Sequence, residues 1–491
     1  MEENNLTFEE KLKYYFKDLV VNKSQSLSFF NNLSLPAFVR DWFMKKYGDK
    51  DGNINPSFLL AKISEMIPRK DNWKLLVEKI MTSDESVKIL AKISVKADIT
   101  KNLYTFEMAD LGVSHSETLI NPNVLKKSRK QLLSGQNDIW GVLTLRYQYV
   151  GDDKKRPYRI ILEDFVDFKP YSIDLKFYSA ARENFTFEEW IDVLLTAIDY
   201  NPHGFSTDEE KIMLLTRLIP FVEKRVNLIE FAPKGTGKSY VFSQISKYGW
   251  LNSGGVVTRA KLFYNMSNKT DGLIPNYDYV CLDEISNTQF TQLPEIQASL
   301  KGYLENGKYT VGTKYGTSES GIVVLGNIDE EFMDSNTYFM LNMITKEHQR
   351  FFDESALLDR FHGFLEGWKI GRMTESKKIS GWGLNTEYFS EIMHQIRFDL
   401  RYEAVYDSLI TIPKDADTRD TQAIKKLSIA FMKLWFPHWT SIDKVESNLF
   451  ENYCLKPAMN MRQIIKTQLG FMDTEFKGKK IPDILVTNHT S

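Results

Sequence analysis

Three short stretches carry side chains suited to nucleotide chemistry. The first is "APKGTGKS", Ala232 to Ser239, set between the apolar run "RVNLIEF" and the helix-like "SYVFSQISKY". Gly235 and Gly237 let the backbone curl its N–H groups around phosphate oxygens, with Pro233, Lys234 and Thr236 completing the cradle. Lys238 is spaced to reach the β- and γ-phosphates of ATP, and Ser239 to ligate Mg2+. Ala232 stands where the usual pattern has its first Gly, and a small residue suffices there if its φ is negative. The second stretch is "YDYVCLDEI", an apolar strand ending in two carboxylates, with Asp283 lying 45 residues beyond Lys238. Asp283 is the second Mg2+ partner and Glu284 the group that polarises attacking water. The third, "GIVVLGN", ends in Asn327, a strand-end amide able to orient that water. Taken singly these are a glycine turn, a solvated acidic pair and a turn asparagine. Their order along one chain is what favours chemistry.

Arginines follow. Arg360 in "ESALLDRFHGF" suits a finger reaching the nucleotide of a neighbouring subunit, because its planar fork stabilises charge on a transferring phosphoryl group. The competing reading is a helix-end arginine in an ion pair. Two further arginines, Arg419 in "DTRDTQAIKKL" and Arg462 in "AMNMRQIIKTQL", compete for the role of γ-phosphate sensor, with Arg419 preferred.

The elements that must position these groups can be read from periodicity. The chain has 491 residues, a net charge of −2 and two cysteines far apart, Cys281 and Cys454. That excludes a disulfide framework and a cysteine-based zinc site, and with no signal peptide or membrane-length apolar run it predicts a soluble cytoplasmic protein. Residues 1–84 read as helical, opening on the Thr-x-x-Glu cap of "TFEEKLKYYFKDLV". Residues 85–180 alternate apolar and polar side chains, with a hairpin around "TKN", and predict a small β-rich domain of the OB-like type. Residues 181–370 combine a helical linker with a parallel α/β ATPase core, and residues 371–491 read as a helical lid and a poorly packed tail. The expected fold is therefore multidomain α/β, with a P-loop ATPase core.

The order of strand, loop, Asp-Glu strand, Asn strand and Arg resembles AAA+ ATPases over about residues 205–470. The stretch "WLNSGGVVTRAKLFYNMSNKTDGLIP" resembles the region of Lon-type ATPases that carries the pore loop. The stretch "KYTVGTKYGT" resembles the channel hairpin that precedes the sensor strand in minichromosome-maintenance helicases. Nearly end to end, the chain is similar to the BrxL family, the Lon-related AAA+ ATPases of bacterial BREX phage-defence systems. The resemblance rests on "LPAFVRDWFMKKYGD", "WIDVLLTAIDYNPHGF", "LIPFVEKRVNLIEFAPKGTGKSYVFSQISKYGWLNSGGVVTRAKLFY", "ALLDRFHGFLEGWKI" and "GWGLNTEYFSEIMHQIRFDLRY". It implies ATP and Mg2+ as cofactors, a homo-oligomeric ring, hexameric in the family, and engagement of DNA together with other BREX components. The lid helices are expected to end near residue 470, too close to the end of the sequence for a Ser-Lys protease domain, so no protease activity is expected from this chain.

Residues 121–160 hold Lys126, Lys127, Arg129, Lys130, Arg146, Lys154, Lys155, Arg156 and Arg159 against three aspartates, with Trp140, Tyr147, Tyr149 and Tyr158 interleaved. Such a basic, aromatic β surface is what single-strand binders use, unless the rings belong to the core. In the hairpin, Lys308, Lys314 and Tyr315 are candidates to meet a phosphate backbone, or else are solvated surface groups. Three outputs for the ring follow. One is a DNA-associated ATPase that engages or translocates on DNA. Another is a protein remodeller gripping polypeptide with Phe263 and Tyr264, and the third is an ATP-dependent assembly scaffold.

Overall fold

A computed structural model describes residues 6–24, 35–49, 52–83, 85–98, 102–133, 139–151, 157–267, 269–328 and 351–487. The chain divides into two compact units, one of residues 46–172 and one of residues 1–45 with 173–491. The architecture is mixed α/β, as expected.

The smaller unit is built on five strands: β1 (Val87–Asp98), β2 (Leu103–Glu107), β3 (Thr118–Ile120), β4 (Ile139–Tyr149) and β5 (Tyr158–Asp167). Their order is β2-β1-β4-β5-β3, with β3 parallel to β5 and every other pairing antiparallel. The strands on either side of "TKN" pair antiparallel, with Asp98 opposite Leu103, while Thr100 and Lys101 lie outside the described residues. One hydroxyl joins the outer strands β2 and β3, since Thr118 Oγ1 accepts from Phe106 N at 3.0 Å and donates to the Phe106 carbonyl. The alternation in "IWGVLTLRYQY" turns Ile139, Leu143 and Leu145 inward, against Phe106, Leu162 and Phe165. Each such burial contributes about 1.5–3 kcal/mol. Gly141 has a steric reason, because a Cβ there would lie 2.3 Å from the Phe165 ring.

The larger unit is centred on a five-stranded parallel sheet: β6 (Leu228–Ala232), β7 (Gly249–Ser253), β8 (Tyr279–Asp283), β11 (Gly321–Asn327) and β12 (Gly363–Glu366). The order is β12-β6-β11-β8-β7. Between β8 and β11 in sequence, β9 (Lys308–Val311) and β10 (Lys314–Thr317) form a separate antiparallel hairpin. β6 and β8 are buried at every position, which explains why "LIEFA" and "YVCLD" are apolar runs rather than alternating ones: both faces are covered. Helices Thr418–Trp435 and Lys456–Met472 pack against the β12 edge, where a Cβ on Gly363 would meet Met461 and Leu427 within about 3 Å. The tail pairs with the unit as well, Leu485–Val486 lying antiparallel to Ile410–Thr411. Among the described residues no helix is long and apolar enough to cross a membrane.

The division of the chain differs from the one periodicity suggests. Residues 1–45 belong with the larger unit, whereas helices Pro56–Met66 and Lys70–Ser83 belong with the β-rich one. Two interactions between segments distant in sequence account for the first assignment. The short strand Val20–Asn22 pairs antiparallel with Trp382–Leu384. Beside it lies a buried charge cluster. Lys23 Nζ donates to Asp199 Oδ1 at 2.7 Å and sits 3.2 Å from Asp41, while Arg40 Nη2 donates to Asp199 Oδ2 at 2.9 Å. Burial pushes both carboxyls up. At Asp199 the Lys23 and Arg40 charges outweigh it and hold the group below its ordinary value, whereas Asp41 stays raised.

Removing one member of such a cluster strands the others in a low dielectric. Lys23→Met is expected to cost about 3–5 kcal/mol, seen as a marked fall in the urea midpoint at pH 7. An unchanged midpoint would show that the cluster does not hold the N-terminal segment in place.

Candidate active site

The loop after β6 is shaped by two left-handed glycines, Gly235 at φ 82° and Gly237 at φ 77°. At Gly237 the constraint is double, because a Cβ would also lie 2.6 Å from the Tyr200 hydroxyl. Ala232 is extended, as the last residue of β6, so its methyl is tolerated there. The space comes from a neighbour: Gly367, just past β12, lies where a Cβ would stand 2.6 Å from the Ala232 methyl. Helix Lys238–Gln244 begins at the loop's end. Lys238 Nζ donates to the carbonyls of Ala232 (2.9 Å) and Pro233 (3.1 Å) and to Asn327 Oδ1 (3.3 Å). Burial holds the ammonium below its ordinary value, while the Glu230, Asp283 and Glu284 charges pull the other way. The partners it reaches, two carbonyls and an amide oxygen, are all neutral, and a phosphate in the loop would supply a counter-charge.

Sequence reasoning missed the group that holds the loop. Arg217 is fully buried and forks onto Glu230 of β6 at 2.6–3.1 Å. Its Nη1 donates to the Thr236 carbonyl at 2.7 Å. The available signal was a charge breaking each of two apolar runs, "IMLLTRLIPFV" and "LIEFA". A second contact reaches the loop's helix through Tyr240, whose hydroxyl donates to Asp199 Oδ2 at 2.6 Å and accepts from Arg40 at 3.0 Å. Burial, then the Asp199 charge, raise the phenol well above its ordinary value and keep it protonated as a donor.

β8 and β11 deliver the remaining groups to the same sheet end. Ser239 Oγ donates to Asp283 Oδ2 at 2.7 Å. A hydroxyl and a carboxylate in contact form a hard oxygen set that fits Mg2+, which needs few protein ligands when phosphates and water complete its shell. Glu284 has φ 51°, an uncommon left-handed value for a non-glycine residue, and its N–H donates to Asp283 Oδ1 at 2.9 Å. That turn exposes its carboxylate beside the left-handed pair Gly254 and Gly255. Pro233 is half-buried and Lys234 exposed at the loop's rim.

Arg360 and Arg419 lie elsewhere. β12 runs parallel to β6 with Gly363 opposite Leu228, so Arg360 precedes the amino end of the sheet while the phosphate loop leaves its carboxyl end. The strand alone separates them by about 13 Å. Arg360 ion-pairs with Glu305 at 2.9 Å, and Arg419 reaches the same carboxylate at 3.3 Å and Asp359 at 2.8 Å. Both therefore share one acidic cluster remote from this chain's own Lys238. Arg462 is wholly buried, bound to Asp359, Asp420 and the Phe361 carbonyl at 2.6–2.7 Å. It anchors the helices and is not a sensor.

The candidate nucleic-acid contacts separate into groups. Lys126 and Arg129 are exposed, and Lys127 is exposed but paired with Asp164 at 2.8 Å. Lys154, Lys155, Arg156 and the side chain of Lys130 lie outside the described residues. Arg159 is buried and adds nothing to a surface charge. On the hairpin Lys308 and Tyr315 are exposed, while the Lys314 ammonium lies 5.0 Å from the centre of the Tyr264 ring. Phe263, expected as a gripping residue, is fully buried against Tyr303 and Tyr309, which removes it from any channel surface.

Comparison with known proteins agrees with this architecture. Residues 160–481 match the family described as Lon-like protease BrxL-like, ATPase domain, and residues 14–147 match the BREX system Lon protease-like protein BrxL N-terminal family. The chain belongs to the BrxL family. It is 28% identical over 93% of its length to the Lon-like protease BrxL of Escherichia coli O9:H4 (strain HS), and 28% identical over 94% to that of Bacillus cereus (strain H3081.97). It spans 64% and 66% of the length of those relatives.

The Arg217–Glu230 pair offers a test of loop positioning. Arg217→Met is expected to destabilise the fold by about 3–5 kcal/mol, because Glu230 is left buried and unpaired. Adding Glu230→Gln should recover much of that stability but not nucleotide affinity, which is expected to stay about tenfold weaker with the Thr236 carbonyl unsupported. Thermal melting and titration with a fluorescent ATP analogue separate the two effects. Full recovery of affinity in the double variant would assign the pair to stability alone.

Proposed function

We propose that this member of the BrxL family is an AAA+ ATP hydrolase that works as a homo-oligomeric ring on DNA in phage defence. The observation that carries the reading is the split of the machinery between the two ends of one parallel sheet. Lys238, Ser239, Asp283 and Asn327 converge at the carboxyl end, and Arg360 with Arg419 gathers at the amino end. The strand order, with β11 inserted between the phosphate-loop strand and the Asp-Glu strand, supports an AAA+ core.

In this reading Lys238 and the loop amides bind the phosphates of ATP, and Ser239 with Asp283 holds Mg2+, which supplies Lewis acidity at the phosphoryl oxygens. Glu284 accepts a proton from the attacking water, and Asn327 orients that water from beside Lys238. Arg360 and Arg419 of one subunit enter the site of the next, exchanging Glu305 and Asp359 for the phosphoryl oxygens. Losing and regaining those ion pairs makes hydrolysis felt at the subunit boundary. A ring of six is the natural closure for the family.

Two further features support DNA as the substrate. The strand order and the parallel β3–β5 pair in residues 46–172 suit an OB-like barrel, a fold used for oligonucleotides. The hairpin presents Tyr315, 59% exposed, with Lys308 beside it. The burial of Phe263 weakens the protein-remodelling alternative, and proteolysis forms no part of the proposal.

Mixing two inactive variants tests the shared site. Lys238→Ala retains the arginines but not the phosphate loop, and Arg360→Ala retains the loop but not the finger. Each alone is expected to lose ATPase activity by about 100-fold or more. Mixed together before assembly they should regain a substantial fraction, because some interfaces pair an intact loop with an intact finger. A mixture no more active than its components rules out action between subunits. The same assay with added DNA or unfolded protein identifies the substrate: stimulation by protein alone sinks the DNA reading.

A further inference from the structure

We propose that residues 46–172 carry a groove for the bases of a single-stranded polynucleotide, built on an exposed ladder of tyrosines. The inference deepens the DNA reading and rests on it. Tyr149 on β4 pairs directly across the ladder with Tyr158 on β5, and Tyr147 lies two residues earlier on the same strand. The Tyr147 and Tyr158 rings stack with planes 6° apart and centroids 5.4 Å apart. Tyr149 meets Tyr158 edge-on at 5.2 Å. Tyr149 is 61% and Tyr158 49% exposed, so these two rings are not core residues. Clustered aromatic surface of this kind is costly to leave in water and marks a binding site.

Two cavities adjoin the ladder and share Tyr147 and Tyr158, one of about 790 Å3 and one of about 700 Å3. Helix Lys70–Ser83 forms a wall of the first with Lys70, Trp73, Lys74 and Glu78. Lys70 lies across the groove at Gly112, where a Cβ would stand 3.3 Å from its Cε. The second cavity is bordered by Arg146, Gln148 and Met81. Arg146 approaches Glu163 at 3.6 Å, a loose pair that a phosphate can displace.

The chemistry selects the occupant. Exposed flat rings accept stacked bases, and every base has a π-face, so no particular sequence is required. Cations on either side of the rings, Lys70 and Lys74 at one cavity and Arg146 at the other, suit a backbone running past both. Glu78 disfavours a bare anion in the first cavity but accepts a hydrogen bond from an exocyclic base amine. A duplex keeps its bases stacked on one another and closed to these rings. The ligand is therefore a strand with its bases unpaired.

The test uses the full-length protein with fluorescein-labelled 20-base dT, 20-base rU and a 20-base-pair duplex, read by anisotropy. Tyr149→Ala/Tyr158→Ala is expected to weaken single-strand binding by about 10- to 100-fold. Tyr149→Phe/Tyr158→Phe keeps the rings and should bind like the wild type, which separates stacking from damage to the fold. Lys70→Gln/Lys74→Gln should lower the slope of log affinity against log salt by about 1.4, two phosphates' worth for a single strand. A strand carrying 2-aminopurine should be quenched on binding by the wild type and the Phe variant but not by the Ala variant. The dT and rU arms tell DNA from RNA as the source of the strand. Unchanged affinity in the Ala variant, or wild-type binding to duplex only, overturns the groove while leaving the DNA reading intact. Displacement of the probe by unfolded polypeptide but not by unlabelled dT also overturns it. A wild type that binds no nucleic acid with or without ATP removes the DNA reading itself.

Discussion

The shared direction of the five strands of the parallel sheet governs the rest of this molecule. A parallel sheet has two chemically unlike ends. At the carboxyl end of β6 the chain turns into a helix whose free N–H groups face outward, which is where an anion is stabilised. At the other end it enters β12 from the short helix Ser355–Leu358, with Arg360 in the turn that follows it. Because β6 and β12 are hydrogen-bonded neighbours in fixed register, no side-chain motion brings Arg360 to its own Lys238. The separation is set by strand direction and register, not by side-chain conformation. In the proposed ring a catalytic arginine at that end needs a second copy; within this chain Glu305 and Asp359 hold Arg360 and Arg419 in ion pairs.

Buried charge marks the places where this fold accepts a cost. Arg217–Glu230 and the Lys23, Arg40, Asp41, Asp199 cluster are both dry, and pairs of this kind are often no more stabilising than apolar replacements. What they supply is position. Arg217 ties the Thr236 carbonyl to β6 and so braces the curl of the loop. Asp199 receives Lys23 on Oδ1 and both Arg40 and the Tyr240 hydroxyl on Oδ2, so the N-terminal segment and the loop's helix share one carboxylate. Any shift of that helix on nucleotide binding alters a hydrogen bond whose alternative is an unsatisfied buried charge. Apolar packing would tolerate the same shift with little change in energy.

The chemistry was legible in the sequence where it is local. The glycines, Lys238 and Ser239 lie within one loop, and Asp283 and Asn327 end strands whose apolar runs announce them. Their convergence follows from strand direction alone. What the sequence hid is set by tertiary contacts. The room for Ala232 comes from Gly367, 135 residues away and next to it only through the β12–β6 register. Phe263 and Tyr264 read alike as aromatic neighbours, yet one is core and the other carries a lysine on its face. Residues 1–45 read as part of a helical domain because periodicity reports helices and not their partners, and the short strand Val20–Asn22 is too brief to leave a period-2 signal. Arg159 swelled a basic count that burial then reduced. The β-rich character of the smaller unit was legible because alternation over ten or more residues is itself a tertiary statement, with one face in and one face out.

The nucleotide site and the tyrosine groove lie in different units, so their relation is energetic before it is spatial. If ATP and a single strand each bind and each alters the other's affinity, the two effects must be equal, whatever path joins them. The chain gives one candidate for that path. It enters the smaller unit through helix Ala37–Tyr47, and that helix carries Arg40 and Asp41, two members of the cluster that ends at Tyr240. A shift at Tyr240 would reach Arg40 through their hydrogen bond and the shared Asp199 carboxylate. Coupling by this route requires the charges on Arg40 and Asp199 but not the rings of the groove. An ATPase whose response to DNA is lost on disrupting the cluster, while its affinity for the strand is kept, has the connection and not the site removed.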